Sequence, residues 1–229
     1  MQTQNAPTEF LIKFWPWFEA NRKRLIGMAV AATVILLAFY FYTTQQAQKA
    51  VDAGRAYTQM QLNLPPTATL QQVADGYQQV AKQYPGTLAA ERAQLQVGSA
   101  LFSAGRYADA QAVFQKFADA SAGGMLAPEA QLGVAASLEA QNQLEPAAAA
   151  YRAVMTGFPN STEVWPAKFA LARVLEAQGK FTEAASYYTE VARSQVAGSL
   201  ATEAAQRMAQ IQSKIPAPKP AATAPVPAK

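Results

Sequence analysis

The sequence contains no cysteine and no histidine. Without cysteine there are no disulfides and no thiolate nucleophiles. Without histidine there is no imidazole base, and the usual zinc ligands are missing. These absences disfavour most classes of enzyme and metal site. We therefore expect a protein that is not an enzyme and that binds no cofactor and no metal ion.

Charged side chains are also scarce, at 15% of the 229 residues, compared with about 25% in an average soluble domain. The net charge is +4, and the short segment 1–24 carries half of it, because its basic side chains outnumber its acidic ones by two. No basic cluster follows, so we expect no nucleic-acid partner. The chain is rich in alanine, contains leucine and has its β-branched residues thinly scattered, which favours an all-α fold.

Residues 25–42 form a run of 18 residues without charge, in which Thr33 is the only clearly polar side chain. In a helix such a run is about 27 Å long, close to the thickness of the hydrocarbon core of a bilayer. A core helix of a soluble protein would show a polar face at helical spacing, and this run has none. We predict a transmembrane anchor at 25–43, preceded by a short cytoplasmic tail at 1–24.

A cleaved signal peptide is the main alternative for this run. Signal peptides have a shorter apolar segment that ends in small residues. Here the run ends in four aromatic residues, Phe39–Tyr42, and the segment Thr43–Gln48 offers no good cleavage site. The sequence therefore favours an anchor that is retained in the mature protein.

Side chains suited to the membrane interface flank the run on both sides. Aromatic side chains of this kind prefer the headgroup level, and cations are retained on the cytoplasmic side. This predicts a cytoplasmic N-terminus and places everything after residue 43 across the membrane. In a bacterium, the protein would be a single-pass inner-membrane protein with a periplasmic C-terminal domain. The predicted anchors are Trp15, Trp17, Arg22, Lys23, Arg24, Tyr40 and Tyr42.

The remainder of the chain repeats itself. The segments "LFSAGRYADAQAVFQKF", "LEAQNQLEPAAAAYRAV" and "LEAQGKFTEAASYYTEV" begin 37 residues apart, at Leu101, Leu138 and Leu175. Each predicts two helices joined by a turn at Gly105, Asn142 or Gly179, since glycine and asparagine tolerate the left-handed conformation that ends many helices. We expect a repeat domain at 44–214, with units at about 54–90, 91–127, 128–164 and 165–201, a terminal helix at 198–214 and a disordered Pro/Ala-rich tail at 215–229.

Small and aromatic side chains recur at fixed places in these units, and the pattern resembles the tetratricopeptide repeat. The resemblance implies a solenoid of helical hairpins, although the period is 37 residues rather than about 34. One interpretation of the first unit is that its opening helix continues the membrane helix through Gln45–Leu62. The pattern is carried by Gly98, Leu101, Gly105, Tyr107, Ala110 and Phe114; by Ala135, Leu138, Leu144, Ala147, Tyr151 and Pro159; and by Ala172, Leu175, Gly179, Phe181, Ala184 and Tyr188.

A narrower resemblance covers residues 10–213. The order of tail, single span and repeats, together with "WFEANRKRLIG" at Trp17–Gly27, resembles the YfgM-like family of bacterial inner-membrane proteins. This resemblance implies an accessory role beside the Sec translocon, with translocon subunits, periplasmic chaperones or secreted proteins as partners. The Pro/Ala-rich tail is not part of that pattern.

The first helix of each unit would line a concave face that binds a protein partner. Leu95, Leu132 and Phe169 would form an apolar stripe there, suited to an extended or helical peptide. Alternatively, they pack against the N-terminal or C-terminal helix, and the sequence leaves both readings open. The residues expected on this face are Arg92, Leu95, Ser99, Phe102, Glu129, Leu132, Ala136, Glu139, Phe169, Arg173 and Glu176.

The predicted function is that of a membrane-anchored scaffold for protein–protein interaction, which contacts lipid through residues 25–43. A second hypothesis is a structural organiser of the cell envelope that joins the inner membrane to division or cell-wall machinery, and the tail after Lys214 motivates it. A homo-oligomer is compatible with either hypothesis.

Overall fold

The computed structural model describes residues 6–215, with side chains from residue 15 onward. All regular structure in this range is helical. The chain divides into two compact units, Met1–Asp52 and Ala53–Lys229. The predicted Pro/Ala-rich tail lies, except for Ile215, outside the described residues.

The first unit consists of the long helix α1, Ala6–Asn63, up to Asp52. Of the described helices, only α1 is long and apolar enough to cross a membrane, and its apolar window has no buried residue. The single polar side chain in the run is satisfied locally, because the Thr33 hydroxyl donates to the carbonyl oxygen of Ala29 at 2.8 Å. The Thr33 hydroxyl is therefore paired within the helix and does not oppose transfer into lipid.

The second unit begins inside α1, whose last residues are part of the repeat core. Ala53 is fully buried, and the Tyr57 ring packs against Tyr77 with 5.6 Å between centroids. The prediction that the opening helix of the first unit continues the apolar helix is confirmed. The helices that follow are α2 Leu70–Gln83, α3 Leu88–Ser103, α4 Tyr107–Ala120, α5 Ala127–Ala140, α6 Leu144–Gly157, α7 Val164–Ala177, α8 Phe181–Arg193 and α9 Ser199–Ile211.

The turns inside the hairpins have the predicted geometry. Gly105, Asn142 and Gly179 have φ angles of 76°, 61° and 75°. The residue that follows each of these three donates its backbone N–H to the carbonyl oxygen of the leucine five residues earlier. For example, the N–H of Lys180 donates to the carbonyl oxygen of Leu175 at 2.9 Å. This hydrogen bond satisfies a carbonyl that the end of the helix leaves unpaired.

Small residues allow the two helices of each hairpin to approach closely. Ala110, Ala147 and Ala184 are completely buried, as are Ala135 and Ala172 on the facing helices. In the second unit, Gly98 replaces the facing alanine, and the ring of Phe114 occupies the space that a Cβ would need. The core is thus built from alternating small and aromatic side chains, as the repeat pattern predicts.

Successive units stack mainly through the second helix of one unit and the first helix of the next, with α4 on α5 and α6 on α7, and more lightly through their first helices. Helix α3 contacts α5, α5 contacts α7, and α7 contacts α9. The terminal helix α9 also packs on α8, and its Ala204 and Ile211 are completely buried. The extra residues of the 37-residue period lie in the longer turns between units, at 121–126 and 158–163. The result is a continuous core in which the first helices form one face.

Candidate protein-binding surface

The face formed by the first helices contains the residues that the sequence analysis assigned to partner binding. Arg92 and Glu129 are exposed on α3 and α5. Leu132 is half-buried and packs against the core. Leu95 and Phe169, in contrast, are only 2% and 6% exposed. These two side chains belong to the core, and they do not form an open apolar stripe with Leu132.

The next positions along the same helices are also partly engaged within the fold. The Ser99 hydroxyl donates to the carbonyl oxygen of Leu95 at 3.1 Å, and Ala136 is half-buried. Phe102 packs edge-on against Tyr107, with 5.1 Å between ring centroids. These residues therefore shape the surface, and the one side-chain hydroxyl among them is hydrogen-bonded within its own helix.

Glu139 is the centre of a polar network that joins three helices. The Arg173 guanidinium donates twice to the Glu139 carboxylate, with both nitrogen–oxygen distances at 2.9 Å. The Tyr151 hydroxyl donates to the same carboxylate at 2.7 Å. Paired hydrogen bonds of this kind, in which both partners are charged, are among the strongest in proteins. The network links α5 and α6 of one unit to α7 of the next.

These contacts change how readily the groups titrate. Burial is the main reason why the pKa of Tyr151 lies above its usual value, and the negative charge and hydrogen bond of Glu139 raise it further. The hydrogen bond to Glu139 raises the pKa of Arg173, although burial works in the opposite direction. The network therefore favours a neutral phenol beside a charged carboxylate–guanidinium pair.

A similar pair occurs one unit later. The Tyr188 hydroxyl donates to Glu176 at 3.0 Å, and its ring packs against Phe169. Burial raises the pKa of Tyr188, followed by the hydrogen bond to Glu176. Glutamates that recur once per repeat are usually found on solvated helix faces. Here Glu139 and Glu176 are hydrogen-bonded to the aromatic side chain of their own hairpin.

Tyr57, Arg92, Glu129 and Glu163 are close enough to influence one another electrostatically. Burial raises the pKa of Glu129, the negative charge of Glu163 raises it further, and Arg92 opposes both effects. Burial and Tyr77 raise the pKa of Tyr57, which also senses Arg92 and Glu129. Residues from α1, α3, α5 and the turn before α7 thus contribute to one charged area on or beside the first-helix face.

The sequence analysis did not identify Tyr57, Glu163 or the two tyrosine–glutamate pairs. A signal for the pairs is present, since Tyr151 and Tyr188 each follow a glutamate by 12 residues. No sequence signal places Glu163 beside Glu129, because that depends on the long turn before α7. Among residues 15–215, no group of three or more Asp or Glu side chains is arranged to hold a metal ion.

The predicted interface anchors lie at both ends of the apolar run of α1. Trp15, Trp17, Tyr40 and Tyr42 are each more than half exposed, and the three consecutive cations Arg22, Lys23 and Arg24 are exposed as well. From Trp17 to Tyr40 the helix rises about 35 Å, which suits the distance between the two headgroup regions. These positions remain predictions of membrane contact.

Comparison with known proteins identifies the repeats. Two solved structures of nearly identical TPR-like repeats from a Podosopora anserina putative kinesin light chain each align with 74% of this chain, at 16% identity and a TM-score of 0.49. The alignments cover 89% and 90% of those chains. No curated protein sequence matches. The model of the tetratricopeptide repeat-like domain family matches residues 16–155, more than half of the chain. The chain therefore belongs to the tetratricopeptide repeat-like domain family.

Proposed function

We propose that the protein is a single-pass membrane protein whose repeat domain binds protein partners beside the Sec translocon of the bacterial inner membrane. Its TPR-like repeats make it a scaffold for protein–protein interaction, and the matched family indicates no enzymatic activity. Under this proposal, the partners that the scaffold binds are translocon subunits, periplasmic chaperones or secreted proteins.

The charged area of the first-helix face carries the binding part of the proposal. Within the described residues, no ion pair involves Arg92, Glu129 or Glu163, although the three side chains lie on or beside the first helices. The negative charge of Glu163 raises the pKa of Glu129, so a cationic group placed between the two would be favoured. A partner with a basic side chain flanked by polar residues suits this area better than the extended or helical peptide on an apolar stripe that the sequence predicted.

Three features support the membrane part of the proposal. The apolar run has no buried residue in its window, the hydroxyl of Thr33 is hydrogen-bonded within the helix, and exposed tryptophan and tyrosine side chains lie at its ends. A helix of this kind in water would expose a large apolar surface. Insertion into lipid removes this apolar surface from water and so removes the unfavourable free energy of its exposure.

Site-specific photo-crosslinking in intact cells tests the proposal. A benzoylphenylalanine at Glu129 is expected to capture a translocon subunit or a periplasmic chaperone. The same group at Glu183, exposed on the second helix α8, is the matched control and should not capture the same protein. Equal capture from both positions, or capture of neither class of protein from Glu129, would contradict the proposed role.

A further inference from the structure

A groove of about 210 Å³ lies on the side of the repeat domain away from the first-helix face, between the second helices α2 and α4, with α3 beneath. Ala81, Val97 and Val113 supply its apolar lining. Ala81 and Val97 are buried, and Val113 is half-buried. The groove is smaller than the roughly 300–1,000 Å³ of pockets that enclose drug-sized ligands. Its size suits one or two side chains of a peptide.

Two lysines border this groove, Lys82 from α2 and Lys116 from α4. Both are exposed, and neither has an ion pair within residues 15–215. The remaining polar lining consists of the amides of Gln78 and Gln94, and no carboxylate contributes. The nearest acidic residue along α4, Asp119, accepts a hydrogen bond from Gln115 at 2.8 Å. The groove therefore combines an apolar lining with two lysine ammonium groups that form no ion pair in the described part of the chain.

The later units of the chain serve as internal controls, because corresponding residues are 37 positions apart. In the next groove, at the corresponding place between α4 and α6, Asp119 and Ala153 replace Lys82 and Lys116. In the last groove, between α6 and α8, Thr156 and Glu190 replace them. The pair of lysines is thus particular to the first groove and is not required by the repeat fold.

The last groove also differs in how its space is used. Tyr187 stands where Val113 stands in the first groove. Lys168, which corresponds to Gln94, forms an ion pair with Glu190 at 2.7 Å and lies 5.0 Å from the centre of the Trp165 ring. A larger side chain and an internal ion pair therefore occupy the corresponding positions of this groove. The first groove has neither.

We propose that the groove between α2 and α4 is a second protein-binding site, which takes an acidic peptide segment. The carboxylates of such a segment pair with Lys82 and Lys116, while a small apolar side chain between them contacts Val97 and Val113. Each lysine ammonium donates hydrogen bonds to a carboxylate that carries the opposite charge. This site is separate from the first-helix face, so the protein would contact two partners, or two parts of one partner, at once.

Fluorescence polarisation with the full chain in non-ionic detergent tests the proposal. The probe is a short fluorescein-labelled peptide in which glutamate alternates with valine, and the comparison peptide has glutamine in place of glutamate. We expect the glutamate peptide to bind at least tenfold more tightly than the glutamine peptide. Binding should weaken as salt is added, because salt screens exposed charges.

Three variants locate the binding. Lys82→Gln combined with Lys116→Gln should weaken binding at least tenfold. Val113→Tyr keeps both lysines and introduces the side chain found in the last groove, so it should weaken binding by a similar factor through loss of space. Arg152→Gln combined with Arg193→Gln removes the same charge from positions outside the groove and should change binding less than twofold. Circular dichroism and thermal unfolding confirm that each variant is folded.

Equal affinity for the two peptides would overturn the proposal. So would unchanged binding by the lysine variant or by Val113→Tyr, or an equal loss in the arginine control, since each would place the binding elsewhere. Binding of the chain to vesicles of phosphatidylglycerol through Lys82 and Lys116, without binding of the glutamate peptide, would assign the groove to lipid and would also overturn it. Crosslinking from Glu129 tests a different face, so the two proposals fail independently.

Discussion

The ring of Phe114 is held between two glycines on different helices. A Cβ at Gly98 would lie 2.6 Å from the ring, and one at Gly133 would lie 2.7 Å from it. The ring cannot move away from one helix without meeting the other. A close approach between α3, α4 and α5 therefore depends on both glycines.

We predict that Gly133→Ala destabilises the repeat domain. Overpacking of a core costs about 1–3 kcal/mol, and the better helix propensity of alanine offsets at most about 1 kcal/mol of that. The free energy of unfolding should fall by about 1–2 kcal/mol in a urea titration. Gly157→Ala is the matched control, since a Cβ there meets nothing within 4 Å. A variant Gly133→Ala that is as stable as the control would show that the ring is free to move.

Gln178, at the end of α7, has a buried side-chain amide whose nitrogen and oxygen have no hydrogen-bond partner in the described part of the chain. The corresponding residue one unit earlier, Gln141, donates to Gln111 at 2.8 Å. In the later unit, the position of Gln111 is occupied by Ala148. The amide of Gln178 has thus lost the partner that its counterpart keeps.

Gln178→Met should therefore raise the free energy of unfolding by about 1 kcal/mol, because a buried polar group without a partner costs about 1–3 kcal/mol. Gln141→Met removes a hydrogen-bonded amide of the same size and should lower stability. Thermal unfolding of both variants measures the difference. The opposite order of the two melting temperatures would contradict this account.

Tyr151 makes the free energy of unfolding of the repeat domain depend on pH in the alkaline range. Burial and Glu139 raise its pKa in the folded state, whereas an unfolded tyrosine titrates near pH 10. Below that pH the phenol is protonated in both states and contributes fully. Above it only the unfolded state loses the proton, so the free energy of unfolding falls by up to about 1.4 kcal/mol per pH unit.

Tyr151→Phe should flatten this loss between about pH 10 and pH 12, even if it lowers stability at neutral pH by removing the bond to Glu139. Urea unfolding across this range provides the measurement. Tyr107→Phe, measured in parallel, accounts for the general effect of removing a phenol. A slope for Tyr151→Phe as steep as that of the unmodified protein would argue against the network.

At the scale of helices and turns, the repeat provides its own comparison. Gly179 and Asn142 occupy the same place in successive hairpins, and both adopt positive φ. A left-handed conformation costs about 1–2 kcal/mol for most residues, while asparagine tolerates it better. The middle unit shows that asparagine is accepted at this turn.

We therefore expect Gly179→Ala to lower the free energy of unfolding by about 1 kcal/mol, and Gly179→Asn to lower it by less than half as much. Chemical denaturation of the two variants side by side distinguishes conformational strain from a simple loss of space, because asparagine is larger than alanine. Equal losses, or a greater loss for asparagine, would exclude strain as the cause.

These hairpins show how far the sequence predicts the fold. The turns at Gly105, Asn142 and Gly179 and the small residues at Ala110 and Ala147 were predictable, because backbone conformation and close packing within a hairpin are local. The burial of helix faces was not. It depends on how one unit packs against the next, which the spacing along a single helix does not determine.

The candidate site illustrates the same division. Leu95 and Phe169 were placed on an open face because helical spacing aligns them with Arg92 and Arg173, yet neighbouring helices cover them. Arg173 was predicted to be on the correct face, but its pairing with Glu139 crosses from one unit to the next. Charges that pair between units can be found in a sequence only after the stacking is known.

At the scale of the whole molecule, the absence of cysteine allows a direct test of membrane orientation. Single cysteines at Glu19 and Gln115 can be introduced into a chain that has no other thiol, and both positions are exposed. If the segment before the apolar run is cytoplasmic, a membrane-impermeant maleimide added to spheroplasts should label Glu19→Cys only after detergent is added. Gln115→Cys should be labelled immediately.

The reverse labelling pattern would place the repeats in the cytoplasm and would contradict the predicted orientation. Release of the chain by alkaline carbonate would contradict the span itself, because an integral helix stays with the bilayer. A control without introduced cysteine measures the background of the reagent. Together these experiments decide which compartment supplies the partners.

Helix α9 has the register of a first helix, and it marks where a fifth unit would begin. Ala204 matches Ala93, Ala130 and Ala167, all completely buried. Gln212, however, occupies the position that Leu101, Leu138 and Leu175 hold in the earlier units. This exchange puts a polar side chain where another hairpin would dock, which disfavours the stacking of one molecule on the end of another into a fibre. Restoring leucine there and appending a copy of α8 would lengthen the solenoid by one hairpin.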